Sequence, residues 1–183
     1  MYNKQQRQQL HDIALDSIKS GLANGKALEV DLNKLDAPLQ SKCATFVTLS
    51  KHGELRGCIG MLEAVRPLAE DIAKNAYAAA FSDHRFSPLR KNELEQLDIH
   101  ISILGTPEEM FFDSEEDLIK QLRPGIDGLI MEEGQLRGTF LPSVWQSLPD
   151  RHDFLNHLKM KSGLPSSHWS DSIHIHRYTV EEF

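Results

Sequence analysis

Apolar positions near the start of the chain recur at helical spacing. Leu10, Ile13, Ala14, Ile18 and Leu22 fall three and four residues apart, which predicts an amphipathic helix over residues 5–24 with Gly25 as its stop. Residues 27–42 are mixed and contain proline, so they read as a connector crossing the surface. The pattern then changes period. Cys43–Leu49 and Leu55–Gly60 read as two strands joined at His52-Gly53, a hairpin signal, although Gly57 and Gly60 are poor strand formers. A second helix is predicted from about Arg66 to Phe81, with Pro67 in its first turn and Leu68, Ile72, Ala76, Ala79 and Ala80 as its stripe. Its small residues imply close packing on a sheet. Leu97–Leu104 alternates, Ile99, Ile101 and Ile103 on one face and His100 and Ser102 on the other, as a half-buried strand does.

The second half repeats these themes. Ser114 reads as the N-cap of a short acidic helix ending near Leu122. Gly128–Met131, a Glu133-Gly134 turn and Gln135–Phe140 form a second hairpin. Asp150–Ser162 reads as a helix closed by Gly163, and Ile173–Val180 as the last strand. Without regular strand–helix alternation, and with short turns between neighbouring strands, the pattern points to an α+β fold built on antiparallel sheet. Gly53-Glu54-Leu55-Arg56-Gly57 and Gly134-Gln135-Leu136-Arg137-Gly138 are an internal repeat placing Arg56 and Arg137, and Cys58 and Thr139, in equivalent positions.

Composition narrows the function classes. The chain has 183 residues, 40% of them apolar, and carries a net charge of −7. That suits one domain over residues 5–183, with room for two closely packed lobes. The acidic balance argues against nucleic acid as a main ligand, and no apolar stretch reaches the ~20 residues of a membrane span. The N-terminal residues do not resemble a signal peptide, and two cysteines are too few for a disulfide scaffold, so a cytoplasmic protein with reduced thiols is expected.

The chemistry concentrates at Leu55-Arg56-Gly57-Cys58-Ile59-Gly60. In a regular strand Arg56 and Cys58 share a face, roughly 7 Å apart at Cα. A guanidinium beside a thiol favours the nucleophilic thiolate and can also hold a carboxylate or phosphate. The bare backbone at Gly57 and Gly60 allows a ligand to approach. A free cysteine is equally at home as a small core hydrophobe, and both readings stand at this point. With a two-residue turn Val47 opposes Cys58, so Cys43 is too far away for a disulfide. His84 and Arg85, in a polar loop at a helix end, are a candidate general base and a candidate anion ligand; a plain surface loop is the alternative. Arg137 either joins an anion site with Arg56 or is a solvated strand arginine. His174 and His176 share a strand face, and the nine histidines show no metal-ligand spacing, so neither metal nor cofactor is expected.

The hexapeptide at residues 55–60, the Phe81–Leu89 loop, Asp127–Ile130, Arg137–Pro142, Phe154–Pro165 and Trp169 together resemble the AMMECR-type domain family, called AmmeMemoRadiSam system protein A in prokaryotes. The resemblance implies a compact α+β fold, an antiparallel sheet flanked by helices with a smaller packed lobe. It also implies association with a Memo-like protein and a radical SAM enzyme, the latter holding any SAM. At residues 82–86 the family often has proline where this chain has His84. Two functions are expected: a Cys58-dependent enzyme acting on an anionic or peptide-like group, or a non-catalytic docking module for those partners. A homo-oligomer is left open.

Overall fold

The computed structural model describes residues 1–183 and is α+β: five α-helices and two antiparallel four-stranded sheets. The chain divides into two compact units, residues 1–104 with 181–183, and residues 105–180. No helix is long and apolar enough to cross a membrane.

In the first unit α1 (Lys4–Asn24) begins at an Asn3–Gln6 capping box and stops at Gly25, whose backbone is left-handed. It packs with α3 (Leu68–Phe81) on one face of a sheet ordered β2 (Glu54–Gly60), β1 (Ala44–Lys51), β3 (Leu97–Leu104) and β8 (Val180–Glu182). Leu10, Ala14 and Ile18 from α1, the small residues of α3, and Val47, Leu49 and Ile101 from the sheet are buried together. The stretch predicted as a surface connector contributes as well. It forms a short helix, α2 (Ala37–Gln40), which buries Leu39 completely. Pro67 caps α3 from outside rather than sitting in its first turn. A buried polar knot ties α3 to the start of β1: the Asp71 carboxylate accepts from the Thr45 amide and hydroxyl, from Asn75 and from Arg66.

In the second unit the sheet runs β4 (Glu108–Glu109), β7 (His174–Tyr178), β5 (Gly128–Glu133), β6 (Leu136–Phe140). The helix α4 (Glu115–Gln121) carries the N-cap Ser114, as predicted, and α5 (Arg151–Ser162) starts one residue later than predicted because Asp150 serves as its N-cap. Trp145 stacks on Phe154, ring centroids 3.7 Å apart, in the core of this unit. The predicted last strand is two. It breaks at Thr179, whose carbonyl accepts from Gly105, and β8 pairs in the other sheet.

The internal repeat acquires a structural meaning. The first hairpin turns at His52-Gly53, both with positive φ, and Lys51 faces Glu54. The second turns one position later in the repeat, at Gly134-Gln135 rather than Glu133-Gly134, and Glu133 faces Leu136. A β-bulge in β2 absorbs the offset: Ser50 faces Leu55, Leu49 faces Gly57, and Arg56 is the extra residue. Gly57 thereby meets a helix, just as Gly138 does. A Cβ on Gly57 would collide with the Ala79 carbonyl of α3, and one on Gly138 with Ser162 of α5.

Because the Ala79 carbonyl is held in its helix, Gly57→Ala should lower stability by about 1–3 kcal/mol, the usual range for overpacking. Denaturant unfolding checks this; an unchanged midpoint would show that α3 and β2 have room to separate.

Candidate functional site

β2 is an edge strand, and its outer edge is an unpaired backbone unless something covers it. The loop after α3 does so at Cys58. The Asp83 carboxylate accepts from the Cys58 amide at 2.9 Å, and the Arg85 guanidinium donates to the Cys58 carbonyl at 3.2 Å. Asp83 also accepts from Arg85, through its amide at 3.1 Å and its guanidinium at 2.7 and 3.0 Å. Two side chains thus imitate a partner strand for a single residue. The Arg85 hydrogen bonds, followed by that of the Cys58 amide, hold the Asp83 carboxyl well below the ordinary carboxylate range.

Arg56 secures the same loop from further along. Its Nε and Nη2 donate to the two Glu93 carboxylate oxygens at 3.0 and 3.1 Å, Nη2 also donates to the Ser87 carbonyl, and the group lies 5.9 Å from the Phe86 ring centroid. The side chain is only 12% exposed, and its buried Nη1 has no hydrogen-bond partner. The Arg56 hydrogen bond is the main reason the Glu93 carboxyl is pulled down to about 2, with the Arg90 amide adding to it.

The bulge changes the expected relation between Arg56 and Cys58. A two-residue repeat would set both on one face, but the extra residue breaks the alternation and each finds its own neighbours. Cys58 faces Thr48, not Val47, because the register has moved by one. The residue is half-buried, and its Sγ lies 3.1 Å from the Thr48 hydroxyl, on the sheet face away from α1 and α3. Thr48 in turn faces His100 on β3, and His100 Nε2 lies 3.7 Å from a carboxylate oxygen of Glu182 on β8. Ser102 donates to the other Glu182 oxygen at 3.3 Å. Cys58, Thr48, His100 and Glu182 therefore cross the four strands in order. His84, the sequence candidate for a base, is exposed and makes no hydrogen bond to Cys58. The register that brings Thr48 and His100 into the row was not readable without the bulge.

Of the other candidates, Gly60 gives its space to the Phe46 ring, so its missing side chain serves packing. Arg137 lies in the second unit, its Nε 3.1 Å from Glu132. His174 and His176 share a face of β7 as predicted, 3.4 Å from Glu109 and 3.9 Å from Glu132 respectively. No three His, Cys, Asp or Glu side chains are grouped so as to hold a metal ion. Both cysteines are free, and Cys43 lies 3.8 Å from the Tyr2 hydroxyl. Nothing in the residue pattern hints that Lys159, on the polar-looking α5, is 1% exposed, held by Glu115, the Ser166 carbonyl and the Trp169 ring.

Fold and site define an α+β protein whose edge strand presents one backbone-clamped cysteine among polar groups of a sheet face. Comparison with known proteins supplies the family. Residues 11–183 match the AMMECR1 family, and the chain belongs to it. A protein of Methanothermobacter thermautotrophicus is 36% identical over 177 residues, 93% of this chain and 90% of that one. Protein SSO0193 of Saccharolobus solfataricus is 42% identical over 89% of this chain and 74% of its own length. The crystal structure of the uncharacterized protein PH0010 from Pyrococcus horikoshii superposes with a TM-score of 0.83 at 32% identity, covering 94% of this chain and 88% of that one.

A carboxyl whose folded value is depressed stabilises the fold above its unfolded value, and that stability is lost as pH falls. For Glu93 the loss should run from about 4.5 down toward about 2. Glu93→Gln should cost about 1–2 kcal/mol at neutral pH and flatten this acid limb. Unfolding midpoints between pH 2 and 7 check both; a variant with the native acid profile would contradict the role given to the Arg56–Glu93 pair.

Proposed function

We propose that this chain is the A component of an AmmeMemoRadiSam-type system in the cytoplasm, working with a Memo-like protein and a radical SAM enzyme, and that Cys58 is its reacting group. The observation that carries the reading is the unequal treatment of Cys58. Its amide is taken by Asp83 and its carbonyl by Arg85, while the thiol keeps one hydroxyl partner and the residue stays partly exposed. Fixing a nucleophile by its backbone while leaving its side chain approachable is what covalent catalysis requires. Family membership and two free cysteines support the assignment.

Because Arg56 and Arg85 are engaged within the fold, a neutral peptide-like carbonyl suits this face better than an anion. In the reaction, the Cys58 thiolate gives its electron pair to the carbonyl carbon and a C–S bond forms while the carbonyl π pair moves to oxygen. On its return, the leaving group departs with its bonding pair and picks up a proton, replacing the one that the thiol gave up. The same engaged arginines favour a second reading, in which the face is a docking surface for the partners and Cys58 only packs.

Alkylation of the native protein near neutral pH, with the adduct mapped by mass spectrometry, separates the two. The enzymatic reading predicts that Cys58 is labelled ahead of Cys43, and that Cys58→Ser leaves capture of the partners intact while stopping the modification reaction. A Cys58 labelled no faster than Cys43 would remove the nucleophile.

A further inference from the structure

A thiol gives up its proton faster when a base is in reach, and the hydroxyl beside Cys58 is not a base. The row across the sheet supplies one. We propose that His100, with Glu182 beside it, is the proton acceptor for Cys58, with the Thr48 hydroxyl as the bridge; this rests on the reading of Cys58 as the reacting thiol.

Three observations place the groups. Cys58 Sγ and the Thr48 hydroxyl are 3.1 Å apart. Thr48 and His100 are directly opposed on adjacent strands, which sets their Cβ atoms about 4.5–5.5 Å apart and puts both side chains on one face. His100 Nε2 is 3.7 Å from a Glu182 carboxylate oxygen, which places a carboxylate beside the ring when it carries a proton. The imidazole is 51% exposed and 3.7 Å is too long for a hydrogen bond, so the ring is free to turn toward Thr48 when the site is occupied. Other groups on this face near His100 are Asp98 and Ser102, two residues away on its own strand, and Ser50, opposite Asp98 on β1; of these only Asp98 is charged.

The transfer balances without any co-reactant. The thiol proton passes from Sγ to the Thr48 oxygen as Thr48's own proton passes to the unprotonated ring nitrogen of His100. Sulfur keeps the S–H electron pair as thiolate, and the ring becomes imidazolium facing Glu182.

The rate of Cys58 carbamidomethylation by iodoacetamide, followed by mass spectrometry from pH 6 to 9 in the full chain, tests this with Cys43 as internal reference. His100→Gln and Thr48→Val should each slow Cys58 about five- to tenfold at pH 7, with Glu182→Gln between them and the native rate. Cys43 should be unaffected, and the differences should close at high pH, where hydroxide takes the proton. His100→Gln within twofold of native at pH 7 would overturn the proposal even if Thr48→Val is slow. A native Cys58 no faster than Cys43 would instead overturn the underlying reading of a reactive thiol. Because His100 and Thr48 lie off the core face, unfolding midpoints near native in these variants confirm that rates are read on folded protein.

Discussion

One residue in β2 has no partner on β1, and the geometry around Cys58 follows from that. The bulge at Arg56 lets Leu49 face Gly57 and Thr48 face Cys58. With Gly57 opposite Leu49, the strand lies against the α3 backbone; with Cys58 opposite Thr48, the thiol stands on the far face of the sheet. The bulge residue itself reaches Glu93 and anchors the loop that covers the strand's edge. Bulges re-aim side chains at the cost of ladder hydrogen bonds, and here the ladder is replaced on the other side by Asp83 and Arg85. The same β2 paired straight through, with Arg56 opposite Leu49, would bring Cys58 opposite Val47 and turn its sulfur into the core.

The hexapeptide thus divides its labour. Gly57 serves helix packing, Gly60 makes way for Phe46, and Arg56 ties down the loop. Cys58 is left half-buried, with the Thr48 hydroxyl beside its thiol. The repeat in the second unit shows the same scaffold without the chemistry. Gly138 meets α5 as Gly57 meets α3, but Thr139 donates to the Leu129 carbonyl and lies 3.2 Å from the Tyr178 hydroxyl, a polar plug where the first unit has a thiol.

Much of this architecture was legible in the sequence because burial enforces periodicity. Leu10, Ala14 and Ile18 are fully buried at the helical spacing that announced α1, and Ile101 and Ile103 are buried on the alternate positions of β3. What stayed hidden depends on partners distant in sequence. Nothing near Arg56 names Glu93, 37 residues on, and nothing in Glu54–Gly60 marks an extra residue. Leu39 sits in a stretch too irregular to show a period, and Lys159 looks like any solvated helix lysine until Glu115 and Trp169 close over it. The site candidates fared likewise: Cys58 was visible from its motif, whereas its neighbours Thr48 and His100 emerge only once the register is known.

Amide hydrogen exchange at Cys58, followed by NMR, tests the edge clamp most directly. The account predicts that the native Cys58 amide, bound outward to Asp83, exchanges as slowly as inward-facing amides of β1. Asp83→Ala should speed it about 10- to 100-fold, the worth of a charge-assisted hydrogen bond, while β1 stays protected. A native Cys58 amide exchanging as fast as the exposed turns, or one indifferent to loss of Asp83, would contradict it.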